Sequence, residues 1–388
     1  MNLKELINKY FKGDGIIWGV VILLSLLSLL AVYSSTGTLA YKSQNPGTTY
    51  YVLKHFSLLV LSLIIIFIVH NIHYKYYSRL SQLFIFVAFI LLLLTLAMGT
   101  SYNEARRWLT LPGIGLTVQT SDFAKLALMM YIARILSLKQ HKINETKEVL
   151  GNLFVPTIII CGLILPANLS TSLILFATAL ILMFVGRIKL KYIGGLLIVG
   201  FFSIAILISG MVLTENKGRL TTWENRIESF FEPENEDSYQ VEQSKIAIAT
   251  GGFFGKGPGN STQRDFLPYA YSDFIYAIIV EEYGFLGGLV ILFLYLFLLY
   301  RAGVIVRKSN RTFGAFLAFG LTLLLVFQAF INMGVAVHLF PVTGQTLPFV
   351  SMGGSSLLFT SIAIGIILSV SRSVDEPKIT KKVLTDNE

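Results

Sequence analysis

The chain is poor in everything a soluble domain relies on. Of its 388 residues only 14% are charged and 54% are hydrophobic, whereas soluble domains carry about 25% charged residues. It has one cysteine, Cys161, so no intrachain disulfide can form. The histidines at 55, 70, 73, 141 and 338 make no HExxH or comparable metal cluster. His70 and His73, with Tyr74, Tyr76 and Tyr77 beside them, read as a shared helix face at a membrane interface. No GxxxxGK[ST] loop and no Rossmann glycine spacing occur. No basic stripe interleaved with aromatics stands in a soluble segment, so the +9 net charge is no nucleic-acid signal. No internal repeat supports an inverted-repeat transporter.

What is present is leucine, isoleucine and phenylalanine in long blocks, the pattern of helices rather than of an alternating barrel. About 20 apolar residues cross a bilayer. The blocks predict spans at Ile16–Tyr33, Val52–Val69, Leu80–Met98, Ser121–Leu138, Leu153–Leu165, Leu169–Gly186, Tyr192–Val212, Asp273–Tyr300, Phe313–Val335 and Val350–Val370. The fold class is an all-α polytopic membrane protein of about ten transmembrane helices. A large extracytoplasmic loop, 213–272, joins helices 7 and 8 inside one domain, 1–388, with a cytoplasmic tail at 372–388. The first block is too long for a signal-peptide core and is retained as a helix. Pro156 kinks or tilts the short fifth span. Alternate loops together with both chain ends carry 19 of the 31 Lys and Arg residues. By the positive-inside rule that side is cytoplasmic, and an even number of spans puts both termini there.

The other side collects the polar chemistry. Arg106 and Arg107 stand against the charge bias beside Trp108, as interfacial snorkelling groups or as a clamp for an anion. Thr120 or Ser121 can cap the fourth helix, and Asp122 and Lys125 share a face of its first turn. They form a structural pair, or Lys125 looks into a polar cavity and touches a diphosphate. In the large loop, Trp223, Ile227, Phe230 and Phe231 fall at helical spacing and predict a short interfacial helix. The acidic cluster Glu232–Asp237 reads as a solvated face. The run GGFFGKGPGNSTQ, from Gly251 to Gln263, lets backbone pack closely, and Lys256 within it can meet a phosphate. Asp273 then opens the eighth span, as an N-cap or as a chemical group. Glu281 and Glu282 follow at membrane depth and call for intramembrane cations such as Arg134 or Lys125. Pro341, Gly344 and Pro348 punctuate a non-helical segment that must be buried or line a cavity. Gly353, Gly354, Ser355 and Ser356 allow close helix packing.

Four stretches resemble the SEDS family (shape, elongation, division and sporulation) over essentially the whole chain. They are ARRWL…GLTVQTSDFAKLAL, RIESFFEP…YQVEQSKIAIATGGFFGKGPGNSTQ, FLPYAYSDFIYAIIVEEYGFLG and PVTGQTLPFVSMGGSSL. TGQTLP is similar to the FtsW branch more than to the RodA branch. The resemblance implies a peptidoglycan glycosyltransferase that polymerises lipid II and releases undecaprenyl diphosphate in septal wall synthesis. It implies Asp273 as the catalytic carboxylate. It implies Arg107, Trp108, Asp122, Lys125, Lys256, Gln263, Ser351 and Ser355 as substrate-binding residues. No metal ligands and no cofactor are implied with certainty; a divalent cation stays open. Lipid II, membrane lipid, other divisome membrane proteins and a class B penicillin-binding protein are the implied partners, since this chain has no Ser-x-x-Lys transpeptidase domain. The implied location is the bacterial inner membrane at the septum. The chain departs from the family pattern at Tyr269, Tyr271, Asn168 and Met352, and Asn168 reads as a helix cap. The rival readings are a RodA-like elongation polymerase, a lipid II flippase, which needs polar residues through the inner half as well, and a noncatalytic scaffold.

Overall fold

A computed structural model describes residues 11–36, 47–102, 105–110, 117–140, 150–213, 218–231 and 236–385. The helices are α1 (Gly15–Ser35), α2 (Thr48–Asn71), α3 (Lys75–Met98), α4 (Thr120–Leu138), α5 (Val155–Ile164) and α6 (Leu169–Val185). They continue as α7 (Leu190–Leu213), α8 (Gly218–Phe231), α9 (Glu236–Gly251), α10 (Ile275–Lys308), α11 (Thr312–Ala336) and α12 (Gly354–Thr385). Seven of these, α1, α2, α3, α7, α10, α11 and α12, contain stretches long and apolar enough to cross a membrane. Two shorter apolar helices, α5 and α6, and the charged but buried α4 complete the ten predicted spans.

The apolar faces decide the packing. α4 and α11 are buried along most of their length and form the centre, with α6, α10 and α12 against them. α2 and α7 turn residues such as Phe56, Ile64, Phe201 and Ile206 outward, as lipid-facing helices do. Pro156 lies in the first turn of α5, preceded by a π-helical turn at Leu150–Phe154. Proline offers no N–H to the carbonyl four residues back, and the wider turn absorbs that loss. α1 is pinned at its start by Asp14, whose Oδ1 accepts from the Ile16 N–H at 2.9 Å. The other carboxylate oxygen accepts from Arg301 Nε at 2.7 Å, tying α1 to the far end of α10.

α10 is the organising element. At 1.5 Å per residue its 34 residues would run about 51 Å, well beyond a hydrocarbon core of about 30 Å. The helix breaks at Gly284, where φ is 68° and ψ −171°. The stretch from Phe285 to Lys308 alone runs about 36 Å, enough to cross. Glu281 and Glu282 therefore lie at the end of the crossing stretch, not deep within it. The break frees backbone groups on both sides, and the glycine run takes them up. Lys256 N–H donates to the Glu281 carbonyl at 3.0 Å and Gly257 N–H to that of Glu282 at 2.9 Å. In return, Phe285 N–H donates to the Gly252 carbonyl at 2.9 Å. Such contact leaves no room for side chains. A Cβ on Gly251 would lie 2.2 Å from the Val280 carbonyl oxygen, and one on Gly255 2.2 Å from that of Glu282.

Several local expectations are corrected. The Arg107–Trp108 stretch is not a plain loop but strand β2 (Ala105–Thr110), antiparallel to β1 (Thr100–Tyr102) and β3 (Thr117–Gln119). The segment from Tyr239 to Gly251 belongs to helix α9. The interfacial helix expected around Trp223 is α8. α12 starts at Gly354 rather than at Val350, because Phe349 takes a positive φ of 66°. A Cβ on Gly354 would meet nothing within 4 Å, so close helix packing is not its role. α4 is preceded by Gln119 without a side-chain cap, so neither Thr120 nor Ser121 caps it; Thr120 Oγ1 bonds Thr95 Oγ1 at 2.9 Å instead. His70 is buried against Trp18 and Phe67 in α2, while His73 lies outside the helix, so they share no helix face. Residues 232–235 of the acidic cluster, His141 and the first ten residues lie outside the described residues.

The break generates a test. Gly284→Ala would place its Cβ 2.3 Å from the Phe253 carbonyl oxygen and strain the backbone as well. It should destabilise the protein by more than about 3 kcal/mol or prevent its recovery. Gly303→Ala, in the same helix with nothing within 4 Å, should change stability by no more than about 1 kcal/mol. Thermal unfolding in detergent reads both.

Candidate active site

The turn before α10 presents one carboxylate. Ser272 N–H and Asp273 N–H both return to the Tyr269 carbonyl, at 2.9 and 3.2 Å, and Tyr269 itself takes a positive φ of 58°. A non-glycine residue in that region marks a conformation held by its surroundings. The N-cap position of α10 is Phe274, and no side chain caps it. Asp273 is thus not the cap expected from its place in the sequence. Its Oδ1 accepts from Ser272 Oγ at 2.8 Å.

Three elements close around Asp273. The first is the segment between α11 and α12. Ser351 Oγ donates to the Ser272 carbonyl at 2.5 Å and accepts from Leu347 N–H at 2.8 Å, while Met352 N–H donates to the Tyr271 carbonyl at 2.9 Å. Gly344, with φ of 64°, passes beside the carboxylate: a Cβ there would lie 3.7 Å from Asp273 Oδ2 and 3.8 Å from Arg107 Nη1. The second is β2, which delivers Arg107 to this gap. Arg107 Nε donates to the Ala167 carbonyl at 2.9 Å, just before Asn168, which caps α6 by accepting from Thr171 N–H at 3.1 Å. Alternation along the strand sends Trp108 to the other face of the sheet, level with Gln119. The third is α8, whose Arg226 lies close enough to act on the carboxylate. Burial pushes the Asp273 carboxyl above its ordinary range, opposed by the Ser272 hydrogen bond and then by the charges of Arg107 and Arg226.

α11 supplies the rear wall. Asn332 Nδ2 donates to the carbonyls of Asp273 and Gln345, both at 2.7 Å. One turn earlier, Gln328 Nε2 donates to the Thr346 carbonyl at 3.0 Å and Gln328 Oε1 accepts from Lys125 Nζ at 3.0 Å. Lys125 is buried and paired with Asp122 at 2.8 Å. It is a structural cation behind the wall rather than a group facing an open cavity. Ser355 Oγ accepts from Gln119 N–H at 3.3 Å and so joins α12 to β3.

Lys256 and Gln263 belong to a second polar cluster. Lys256 Nζ donates to Glu281 at 2.6 Å, and Thr262 N–H and Gln263 N–H reach the same carboxylate at 3.1 and 3.2 Å. Glu282 accepts from Ser34 Oγ of α1 and, at 3.4 Å, from Ser261 N–H. The acids therefore take Lys256 and backbone donors, not Arg134 or Lys125, as partners. Lys256 is engaged here instead of standing ready for a phosphate beside Asp273.

Sequence reasoning left out Arg226, Gln328 and Asn332 as site residues. The signal for the two amides was present: polar residues at i and i+4 in an apolar helix must face protein, because lipid rejects them. Arg226 lay within a recognised motif but carried no distinguishing spacing. Among the described residues, no three His, Cys, Asp or Glu side chains converge.

Such a bundle, with a lone carboxylate and guanidinium groups at one end of its helices, defines a polytopic membrane protein with a polar site at one membrane face. The sequence pattern of the FtsW, RodA and SpoVE cell cycle proteins matches residues 14–376, and the chain belongs to that family. It is 34% identical to the probable peptidoglycan glycosyltransferase FtsW of Trichlorobacter lovleyi, over 97% of this chain and 99% of the relative. It is 33% identical to the stage V sporulation protein E of Bacillus subtilis, over 91% of this chain and 95% of that protein. Among solved structures it resembles a chain of a peptidoglycan synthase complex that coordinates polymerization and crosslinking. The TM-score is 0.71 at 26% identity, covering 93% of this chain and 98% of the other.

The second cluster is testable by itself. Lys256→Gln should destabilise the protein by about 1–3 kcal/mol by leaving Glu281 short of a donor. In a double-mutant cycle with Glu281→Gln the two losses should fall short of additive by about 1 kcal/mol or more. Thermal unfolding of the four proteins measures the coupling.

Proposed function

We propose that the chain is a peptidoglycan glycosyltransferase that polymerises lipid II during septal wall synthesis. The supporting observation is Asp273: a half-buried carboxylate, released from capping its own helix and set across Gly344 from Arg107. The face carrying the basic loops is taken as cytoplasmic and the Asp273 face as external, in the bacterial inner membrane at the septum. Two lipid-linked substrates lie with tails in the bilayer and sugars at this site. Asp273 takes the proton of the acceptor sugar's 4-hydroxyl. The oxygen forms a bond to the donor's anomeric carbon, and the bond to undecaprenyl diphosphate breaks with inversion. The diphosphate leaves with its electron pair and needs no general acid, so one carboxylate suffices. Arg107 and Arg226 offset the negative charge that builds on it. Asn332, Ser351 and the 339–353 segment hold the base in place.

The raised carboxyl fits this use, since a base nearer to working pH is the more effective proton acceptor. A class B penicillin-binding protein supplies crosslinking in this reading, supported by the likeness to the synthase complex. The FtsW assignment rests on the relatives and on TGQTLP. A sporulation role is the neighbouring alternative, favoured by a nearly equal identity to stage V sporulation protein E.

Asp273→Asn should reach the membrane folded and lose lipid II polymerisation by a factor of about 100 or more in a purified assay with its partner. It should be at least as stable as the parent at neutral pH, because a carboxyl whose pKa rises on folding opposes folding once it is ionised. In the parent, activity should fall as pH falls through a midpoint above the ordinary carboxylate value of about 3.9, since only the deprotonated form accepts the proton. Full activity of Asp273→Asn, or an acid limb at or below that value, would refute the base assignment.

A further inference from the structure

A second polar hollow lies at the basic face, away from Asp273. It has a volume of about 790 Å³ and sits between the start of α3, the end of α4 and the start of α11. Four cationic side chains line it, Lys75, Arg79, Arg134 and Arg311, and no carboxylate does.

Its construction is that of a site awaiting an anion. Arg134 lies a turn inside α4, where a cation needs a partner. It donates to the Ser78 carbonyl through Nη1, but its Nε is buried without a hydrogen-bond partner. Among the described residues, none of the four cations has an ion pair. α3 and α11 both begin here, neither has a side-chain cap, and neither has an acid in its first turn. Both helix dipoles therefore add positive potential. The walls are tied together: Ser137 Oγ bonds Thr312 Oγ1 at 2.6 Å, joining α4 to α11, and the Arg134–Ser78 bond joins α4 to α3.

We propose that this hollow binds a phosphate group, supplied by the headgroup of an anionic membrane lipid or by a soluble phosphate. Guanidinium forks match phosphate oxygens in pairs, and three of them line the hollow. Arg79 and Arg311 are exposed at the rim and draw the anion in. The hollow lies where the helices leave the bilayer, the level of lipid headgroups. A bound phosphate would offset part of the cluster's charge and lock the ends of three helices together.

The test uses the full chain in detergent, with phosphatidylglycerol, phosphatidylcholine and inorganic phosphate as separate probes. Native mass spectrometry and thermal unfolding read binding. For a lipid source, phosphatidylglycerol should bind about tenfold or more tightly than phosphatidylcholine. For a soluble source, inorganic phosphate should bind, and the two lipids should bind equally weakly. In either case Arg79→Gln with Arg311→Gln, both at exposed positions, should weaken the preferred probe by about tenfold. Lys189→Gln with Lys191→Gln removes the same charge from the same face outside the hollow and should leave binding unchanged. Arg134→Gln should abolish it; if that variant does not fold, the rim pair decides. The proposal is overturned if neither phosphatidylglycerol nor inorganic phosphate binds, if the rim variant binds like the parent, or if the two charge-removing pairs weaken binding equally.

Discussion

In an apolar environment every backbone N–H and C=O must find a partner, and the structure turns on one place where a helix cannot supply them. At Gly284 the ladder of α10 is interrupted. The glycine run from Gly251 to Gly257 completes it, donating to the carbonyls of Glu281 and Glu282 and accepting from Phe285. At Gly251 and Gly255 only backbone without a side chain can come so near. The exchange also fixes the two glutamates. The Glu281 carboxylate is held by Lys256, Ser261, Thr262 and Gln263, and one oxygen of Glu282 by Ser34 and Ser261, so the 252–263 segment and α1 are gathered on one joint. Asp273 stands on the short helical piece before that joint, and its position follows from it.

Around Asp273 the polar groups divide into those that hold and those that face the gap. Asn332, Ser351 and Met352 grip the backbone of the turn and leave its carboxylate to Ser272. Lys125, Asp122 and Gln328 brace the segment that carries Gly344. Arg107 borders the gap while its Nε is anchored on Ala167. A carboxylate and a cation held this way are fixed in advance, which is what the proposed reaction would need to stabilise a developing charge.

The seven long spans were legible because an apolar block of about 20 residues matches the thickness of a bilayer and exceeds what most soluble cores can bury. Asp273 and Arg107 were candidates through motif resemblance alone, and the fold places them on either side of Gly344. What escaped had physical reasons. The strands around Trp108 are too short to show alternation against a background of loop residues. α9 mixes polar and apolar residues without a clean stripe, because it packs on α10 on one side and faces outward on the other. The partners of Glu281 lie 18–25 residues earlier in sequence, across an irregular segment that no periodicity bridges. Charge alone suggested the intramembrane Arg134 and Lys125, each of which has nearer company.

The clasps at the two ends of α1 have a bearing on biogenesis. Asp14 closes on Arg301, 287 residues later, and Ser34 on Glu282, 248 residues later. At a synthesis rate of about 5–20 residues per second, the first helix waits roughly 15–60 s for its seat to emerge from the ribosome. Until then a carboxylate destined for burial is unmatched at the bilayer rim. The leading segment is thus inserted first yet seated late, and the arrival of α10 sets the earliest moment at which α1 can dock at both ends.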